Sequence, residues 1–174
     1  MIEFRRLFQG IGKTKAYAAL GRALAPMDRA LMRATRGKIG VGTAVGVRTL
    51  LLTTVGRHSG EARQVPLVFV RHGNGLLVVG SNWGGERHPA WTGNLLATPD
   101  ATAAVDGRTV PVRGRLLDGD ERARAWLDIV AYWPAYNTYA SRAGQREIRV
   151  FLLEPGQPAG DRGHRTGTAD TPFS

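Results

Sequence analysis

Three stretches of this chain concentrate side chains able to hold a ligand. The first is TTVGRHSGEAR, Thr53 to Arg63, where Arg57, His58 and Arg63 surround Ser59 and two glycines on one turn. Glycines let backbone N–H groups approach a ligand closely, and arginines grip phosphate or carboxylate through paired donors. The residue order is not that of a Walker phosphate loop, and a solvated hairpin turn is the plainer use of the same residues. The second is GSNWGGERHPAWTGNL, Gly80 to Leu95. Ser81, Asn82 and Asn94 can hydrogen-bond the carbonyls and ring nitrogens of a heterocycle, and Trp83 and Trp91 can wall it. The plainer use makes Trp91 core and the rest a loop.

The third stretch is YWPAYNTYA, where Trp133, Tyr136 and Tyr139 recur every three residues and so share one side of a helical turn. Such a stripe serves as core or as the lip of a pocket. A hydrolytic site would need a nucleophile with its base, or a carboxylate pair, and neither stands out. The chain has no Cys, which excludes thiolate catalysis and Cys-held metals. Its four His (58, 72, 88 and 164) lack ligand spacing, so no metal site is expected, and His88 before Pro89 reads as structural. The pattern suits holding a flat polar molecule better than attacking one.

These residues need a scaffold, and the hydrophobic pattern predicts one. VRTLLLTTV, VPLVFVRH and LLVVGS read as strands joined by short turns, hence as antiparallel hairpins. HPAWTGNLLATP reads as a short helix closed by Pro99. Two further strands flank Asp106-Gly107, a strong hairpin signal. Asp118 to Trp133 reads as a helix capped by Asp118 or Asp120, the segment after it as turn-like, and REIRVFLLEP as a last strand. The fold class expected is α+β, mainly β: about six antiparallel strands in a small closed or split β-barrel, because closure removes exposed edges. The barrel domain spans 45–155, and the polar segment 156–174 reads as a disordered tail.

At 174 residues one domain is the default. No apolar run reaches the roughly 18 residues of a spanning helix, and no secretory peptide is read. The net charge of +10 is uneven: residues 1–40 hold nine Lys or Arg against two acids, a net +7, leaving +3 for the remainder. Phe4, Leu7, Phe8 and Ile11 follow helical spacing. Leu20, Leu24, Met27 and Leu31 then share one helical face, opposite Arg22, Arg29, Arg33 and Arg36, and Pro26 predicts a kink or a new start. This basic amphipathic segment, 1–40, either packs on the body or lies on an anionic membrane surface. No recognition motif accompanies the charge, so no nucleic-acid partner is expected. A cytoplasmic protein, peripheral at the inner face of the membrane if the segment binds there, fits this composition.

Taken in order, LLTTVGRHSGEARQVPLVF, VVGSNWGGERHPAWTGNLLATP, the Asp-Gly hairpin, YWPAYNTYASR and IRVFLLEP resemble the deazaflavin-dependent nitroreductase and F420H2-dependent quinone reductase family over residues 45–155. The resemblance implies a split β-barrel and hydride transfer from reduced coenzyme F420 to a quinone, enone or nitroaromatic acceptor. It implies that Arg57, His58, Ser59, Gly60 and Arg63 bind the cofactor's phosphate and oligoglutamate end, that Ser81, Asn82, Trp91 and Asn94 lie by its ring, and that Thr54, Gly56 and Pro66 are cofactor-binding as well. Family members often carry Lys at the positions of His58 and Asn82. Trp133, Tyr136 and Tyr139 are implied on the substrate side, with Tyr136 and Ser81 as hydroxyls able to orient or protonate the acceptor. Two other readings stay open: an FMN-binding oxidoreductase on a similar barrel, and a non-catalytic F420 carrier.

Overall fold

A computed structural model describes residues 15–44 and 46–157. The expected face of Phe4 to Ile11 and nearly all of the expected tail lie outside the described residues. In chain order the elements are helix α1 (Lys15–Ala34), the short α2 (Val41–Ala44), strands β1 (Thr49–Val55), β2 (Ala62–His72) and β3 (Gly75–Val79), and a 3₁₀ turn at Asn82–Gly84. There follow α3 (Ala90–Ala97), β4 (Asp100–Val105), β5 (Arg108–Leu116), α4 (Gly119–Tyr132), α5 (Ala135–Ala143) and β6 (Val150–Pro155).

The six strands close into an antiparallel barrel in the order β1-β2-β3-β6-β5-β4. Local chemistry sets the register. Asp106 and Gly107 have φ of 51° and 83°, the paired positive dihedrals of a tight hairpin, and Val105 faces Arg108 across that turn. Gly73, at φ 57°, turns β2 into β3, with His72 facing Gly75.

One seam matters for function. β2 pairs with β1 from Ala62 to Val68, but with β3 only from Phe69 to His72. Pro66 faces Leu51 within the first half, where β2 has a neighbour on one side only, so its missing N–H removes no ladder bond. The barrel is closed, and its wall parts at this half-strand.

Alternation along the strands sorts two cores. Leu50, Leu52, Leu76, Val78, Phe151 and Leu153 point inward and fill the barrel with Phe69 and Trp91. Leu77, Val79, Val150 and Leu152 point outward and are buried instead under α4 and α5, against Ile129, Trp133, Tyr136 and Tyr139. Both faces of β3 and β6 are therefore dry, which accounts for their unbroken apolar runs.

Helix α1 covers another outer face, where Met32 is fully buried against Leu51 and Ala104. The face it uses differs from the one the apolar spacing predicts. Met27 and Leu31 are exposed, at 58% and 40%, whereas Ala25, Asp28, Arg29 and Met32, at i, i+3, i+4 and i+7, turn toward the barrel. The physical reason is that this end of the helix packs on strand backbone and a cleft, where small and polar residues fit. Arg29, expected among the outward arginines, is half-buried, and Arg33 donates to Gln64 of β2 at 2.7 Å. The helix runs on through Pro26 as one element. The turn-like segment after Trp133 is helix α5.

Candidate active site

Two cavities flank the parted half of β2. One, of about 450 Å³, is lined by Gly56, Arg57, His58, Ser59, Arg63 and Asn94. The other, of about 340 Å³, lies between the outer barrel wall and the helices, and its walls include Ser81, Asn82, Trp83, Trp133, Tyr136 and Tyr139. Val65, Pro89 and Trp91 line both, so the compartments abut. Of the residues the sequence singles out, Thr54 and Gly60 alone line neither. Pro66 belongs to the second cavity, with the ring-side residues rather than with the basic turn.

The basic turn is anchored from below. Asn94 is 4% exposed, and both ends of its amide are engaged: Oδ1 accepts the Arg57 backbone N–H at 3.2 Å, and Nδ2 donates to Thr54 Oγ1 at 3.0 Å. Thr54 is itself buried beneath the turn. These two side chains fix where Arg57 leaves the barrel. The Arg57 guanidinium lies against α3, donating to the Ala90 carbonyl at 3.4 Å. A Cβ at Gly93 would collide with Arg57 Nη1, so the glycine makes this approach possible. Gly60, at φ 69°, closes the turn through an N–H bond to the Gly56 carbonyl. Arg63 is held by Glu61 at 2.7 Å and reaches Ser59 Oγ at 3.4 Å. Two arginines, a hydroxyl and a tight turn suit a multiply anionic group.

The wall of the second cavity is strained. Asn82, Trp83 and Gly84 have φ of 46°, 50° and 80°, three consecutive left-handed residues. A bulky residue such as Trp83 adopts that region only where its surroundings impose it. Arg146 ties the two flanks of this loop together. Its guanidinium donates to the carbonyls of Gly85 at 2.8 Å, Ser81 at 2.8 Å and Gly80 at 3.2 Å. Asn82 Nδ2 bonds the Arg87 carbonyl at 3.0 Å and holds the loop from within. Burial, and then the nearby charge of Arg149, lowers the pKa of Arg146, as expected for a guanidinium set on carbonyls. His88 Nδ1 sits 3.5 Å from Arg146 Nη1, which can only donate, so this nitrogen accepts. Burial foremost, then Arg149 and Arg146, holds the His88 pKa below its ordinary value.

Opposite stand the aromatics. Trp133, Tyr136 and Tyr139 are 3–6% exposed, and the two tyrosine rings meet edge to face at 5.8 Å. They serve as core and as pocket wall at once. Gly84 joins the two walls: a Cβ there would lie 2.6 Å from Arg142 Cβ and 2.7 Å from the Tyr139 carbonyl. Leu24, Ala25 and Asp28 of α1 and Val41 and Gly42 of α2 also line this cavity. Asp28 Oδ1 accepts the Val41 N–H at 2.8 Å and ties one helix to the other.

Sequence reasoning misses Arg146, Gly93 and Asp28. The first and last act on backbone groups distant in sequence, which no spacing announces. Gly93 sits inside WTGNL, where a glycine within a helix is a signal of close approach. Among the described residues no group of His, Asp or Glu gathers as a metal site, and no helix is long and apolar enough to cross a membrane.

Comparison with known proteins agrees on one family. The model of the F420H(2)-dependent quinone reductase family matches residues 26–155. The chain is 33% identical over 138 residues to the F420H(2)-dependent quinone reductase Rv1261c of Mycobacterium tuberculosis H37Rv, which spans 77% of this chain and 91% of that protein. It is 33% identical over 118 residues to Rv3178 of the same strain, named for the same activity, covering 68% of this chain and 98% of that one. The solved structure of an F420-H2 dependent reductase (FDR-A) superposes with a TM-score of 0.56 at 34% identity, over 62% of this chain and 94% of the other. With its closed barrel, basic turn and aromatic wall, this chain belongs to the F420H(2)-dependent quinone reductase family.

Proposed function

We propose that this protein reduces a quinone using F420, with the cofactor's anionic end on the basic turn and its ring near Trp91, Ser81 and Asn82. The observation that carries this reading is the pair of abutting cavities, one lined by Arg57 and Arg63 and the other by aromatics, meeting at Trp91. Family membership supports F420 over FMN and a reductase over a carrier. The donor set fits the group: Arg57, Arg63 and Ser59 suit phosphate and carboxylates, and the second cavity suits a flat ring. Bound reduced F420 supplies the hydride, and the protein supplies orientation and exclusion of water.

Trp133, Tyr136 and Tyr139 form the acceptor side, and the Tyr136 and Ser81 hydroxyls orient the acceptor or pass it a proton. Enones and nitroaromatics, being flat and electron-poor, are further acceptors of the same kind. The test is the decay of reduced-F420 absorbance with menadione, against a control lacking protein. No decay above the control overturns the reading. Tyr136→Phe keeps the ring and removes the hydroxyl. It should lower turnover about tenfold or more with cofactor affinity near normal. Unchanged turnover with several acceptors would reduce Tyr136 to packing.

One observation favours attachment to the inner membrane surface. Met27 and Leu31 stand exposed one turn apart, Ile39 and Val41 are exposed nearby, and Arg33, Arg36 and Lys38 lie in the same segment. Basic residues near an anionic leaflet contribute about 1 kcal/mol each, enough for reversible binding. Co-sedimentation with vesicles of rising anionic lipid should be salt-sensitive and should weaken in the variant Met27→Ser/Leu31→Ser. Equal sedimentation of both proteins would remove this reading.

A further inference from the structure

Of the described residues that line the aromatic cavity, one is charged: Asp28 of α1. The rest are apolar, aromatic or neutral polar. The compartment across Trp91 has the opposite sign, since Arg57, His58 and Arg63 line it and no acid does. Asp28 also stands apart in the sequence, as one of two acids against nine Lys or Arg in the first forty residues. None of the ion pairs among the described residues includes it. A carboxylate beside an apolar space loses hydration, and here no paired cation offsets the loss.

The geometry holds this charge at the cavity. Asp28 is half-buried, and one of its oxygens is fixed. Oδ1 accepts the Val41 N–H at 2.8 Å, and a Cβ at Gly40 would lie 2.9 Å from it, so the chain entering α2 wraps this oxygen closely. Val41, which makes that bond, and Gly42 line the same cavity. Oδ2 takes no hydrogen bond among the described residues and, unlike the neighbouring Arg29 Nε, is not sealed. The carboxylate thus has one oxygen tied to α2 and one open.

We propose that Asp28 selects the acceptor by charge, favouring neutral quinones over acceptors that carry a negative charge. This rests on the acceptor occupying the aromatic cavity. A unit charge acts over several ångströms, and more strongly where a bound ring has displaced water, so Asp28 need not touch an anion to disfavour it. A neutral flat body meets no such opposition, and one with an O–H or N–H at its edge can bond Oδ2.

The test uses the full-length protein and reduced F420 with two acceptors: menadione, which is neutral, and 1,4-naphthoquinone-2-sulfonate, which carries a fixed negative charge. The quantity read is kcat/KM for the sulfonate divided by kcat/KM for menadione, each after subtraction of the rate without protein. Asp28→Asn keeps an oxygen for the Val41 N–H and removes the charge. The ratio should rise about tenfold, the scale of one unit charge acting over roughly 10 Å in a protein-like dielectric. Asp28→Ser, a second neutral variant, should raise it in the same direction. Asp100→Asn removes a charge from a carboxylate that is 75% exposed and paired with Arg113. It should leave the ratio within about twofold, because exposed charges are screened. An unchanged ratio in a folded Asp28 variant overturns the proposal and leaves the quinone reading standing, as does an equal rise in Asp100→Asn. Failure of both Asp28 variants to fold assigns the residue to holding α2 and overturns it too. Wild-type protein that reduces neither acceptor removes both.

Discussion

The two compartments are built in opposite ways. The basic turn is an exposed set of charges, and one of them, Arg63, is shared with an acid of the same turn: Arg63 and Glu61 are 58% and 68% exposed. On the proposed function, an arriving anion would compete with Glu61 for Arg63. The aromatic compartment is the reverse. Its left-handed loop is tied across its flanks by a guanidinium bound to three carbonyls, and its opposite wall is core. A flexible charged tail needs strong partners and little shape. A ring that must present one atom to an acceptor needs a wall that does not move, since about 1 Å of misplacement is enough to slow chemistry.

The comparison is broken most directly at Arg146. Arg146→Ala should cost about 3 kcal/mol of stability, as hydrogen bonds to a charged group are lost and carbonyls are left without a donor. Hydrogen exchange of residues 80–88 should rise while the barrel strands stay protected, and kcat/KM for the acceptor should fall more than tenfold. Arg146→Lys should recover part of both. Normal exchange in that loop would mean the left-handed conformation holds itself.

The next effect is on the other side. Arg57→Ala should weaken cofactor binding by about 1.5–3 kcal/mol, the range for charge-assisted bonds, with little change in melting temperature. Arg63→Ala should cost less, because its guanidinium already has Glu61. Equal losses would mean the Glu61 pair does not compete. A smaller effect sharpens the same point: Glu61→Gln should tighten cofactor binding by no more than about fivefold, the scale of an exposed ion pair, and the gain should shrink in salt.

The smallest effect is a pH dependence on the rigid side. His88 is held below its ordinary pKa of 6.5 by burial and by two arginines, so the folded protein resists a proton that the unfolded chain accepts. Stability at this site is whole above about pH 6.5 and declines as pH falls below it. Melting temperatures at pH 7.5 and 5.5 should differ less in His88→Asn than in wild type. Identical differences would remove His88 as the cause.

What the sequence made legible follows the same division. The barrel could be read because β-rich runs separated by short turns, and the Asp106-Gly107 hairpin, are local signals. The basic turn could be read because its residues are adjacent. The clamp could not, because Arg146 reaches carbonyls about 60 residues away and nothing in QREIRV marks it. The face of α1 was misjudged for a related reason. Large apolar residues at helical spacing suggest a core contact; of the described residues on that face Leu24 does line the cavity, but Met27 and Leu31 stand outward while Ala25, Asp28 and Met32 turn in.

Trp91 belongs to the barrel interior, where its ring meets Phe151 at 5.6 Å, and it also lines both cavities. The other aromatics that line the aromatic cavity belong to the outer core or pack against it. The inner barrel core and the outer core that walls the aromatic cavity are thus largely separate sets of side chains. On the proposed function, lineages could drift in what they reduce by changing Trp133 or its neighbours in the outer core, with the inner barrel untouched. Trp91 is the aromatic that belongs to the inner core and lines both cavities, so the two sets cannot vary independently there, and mutational libraries should find it the least permissive aromatic of the site.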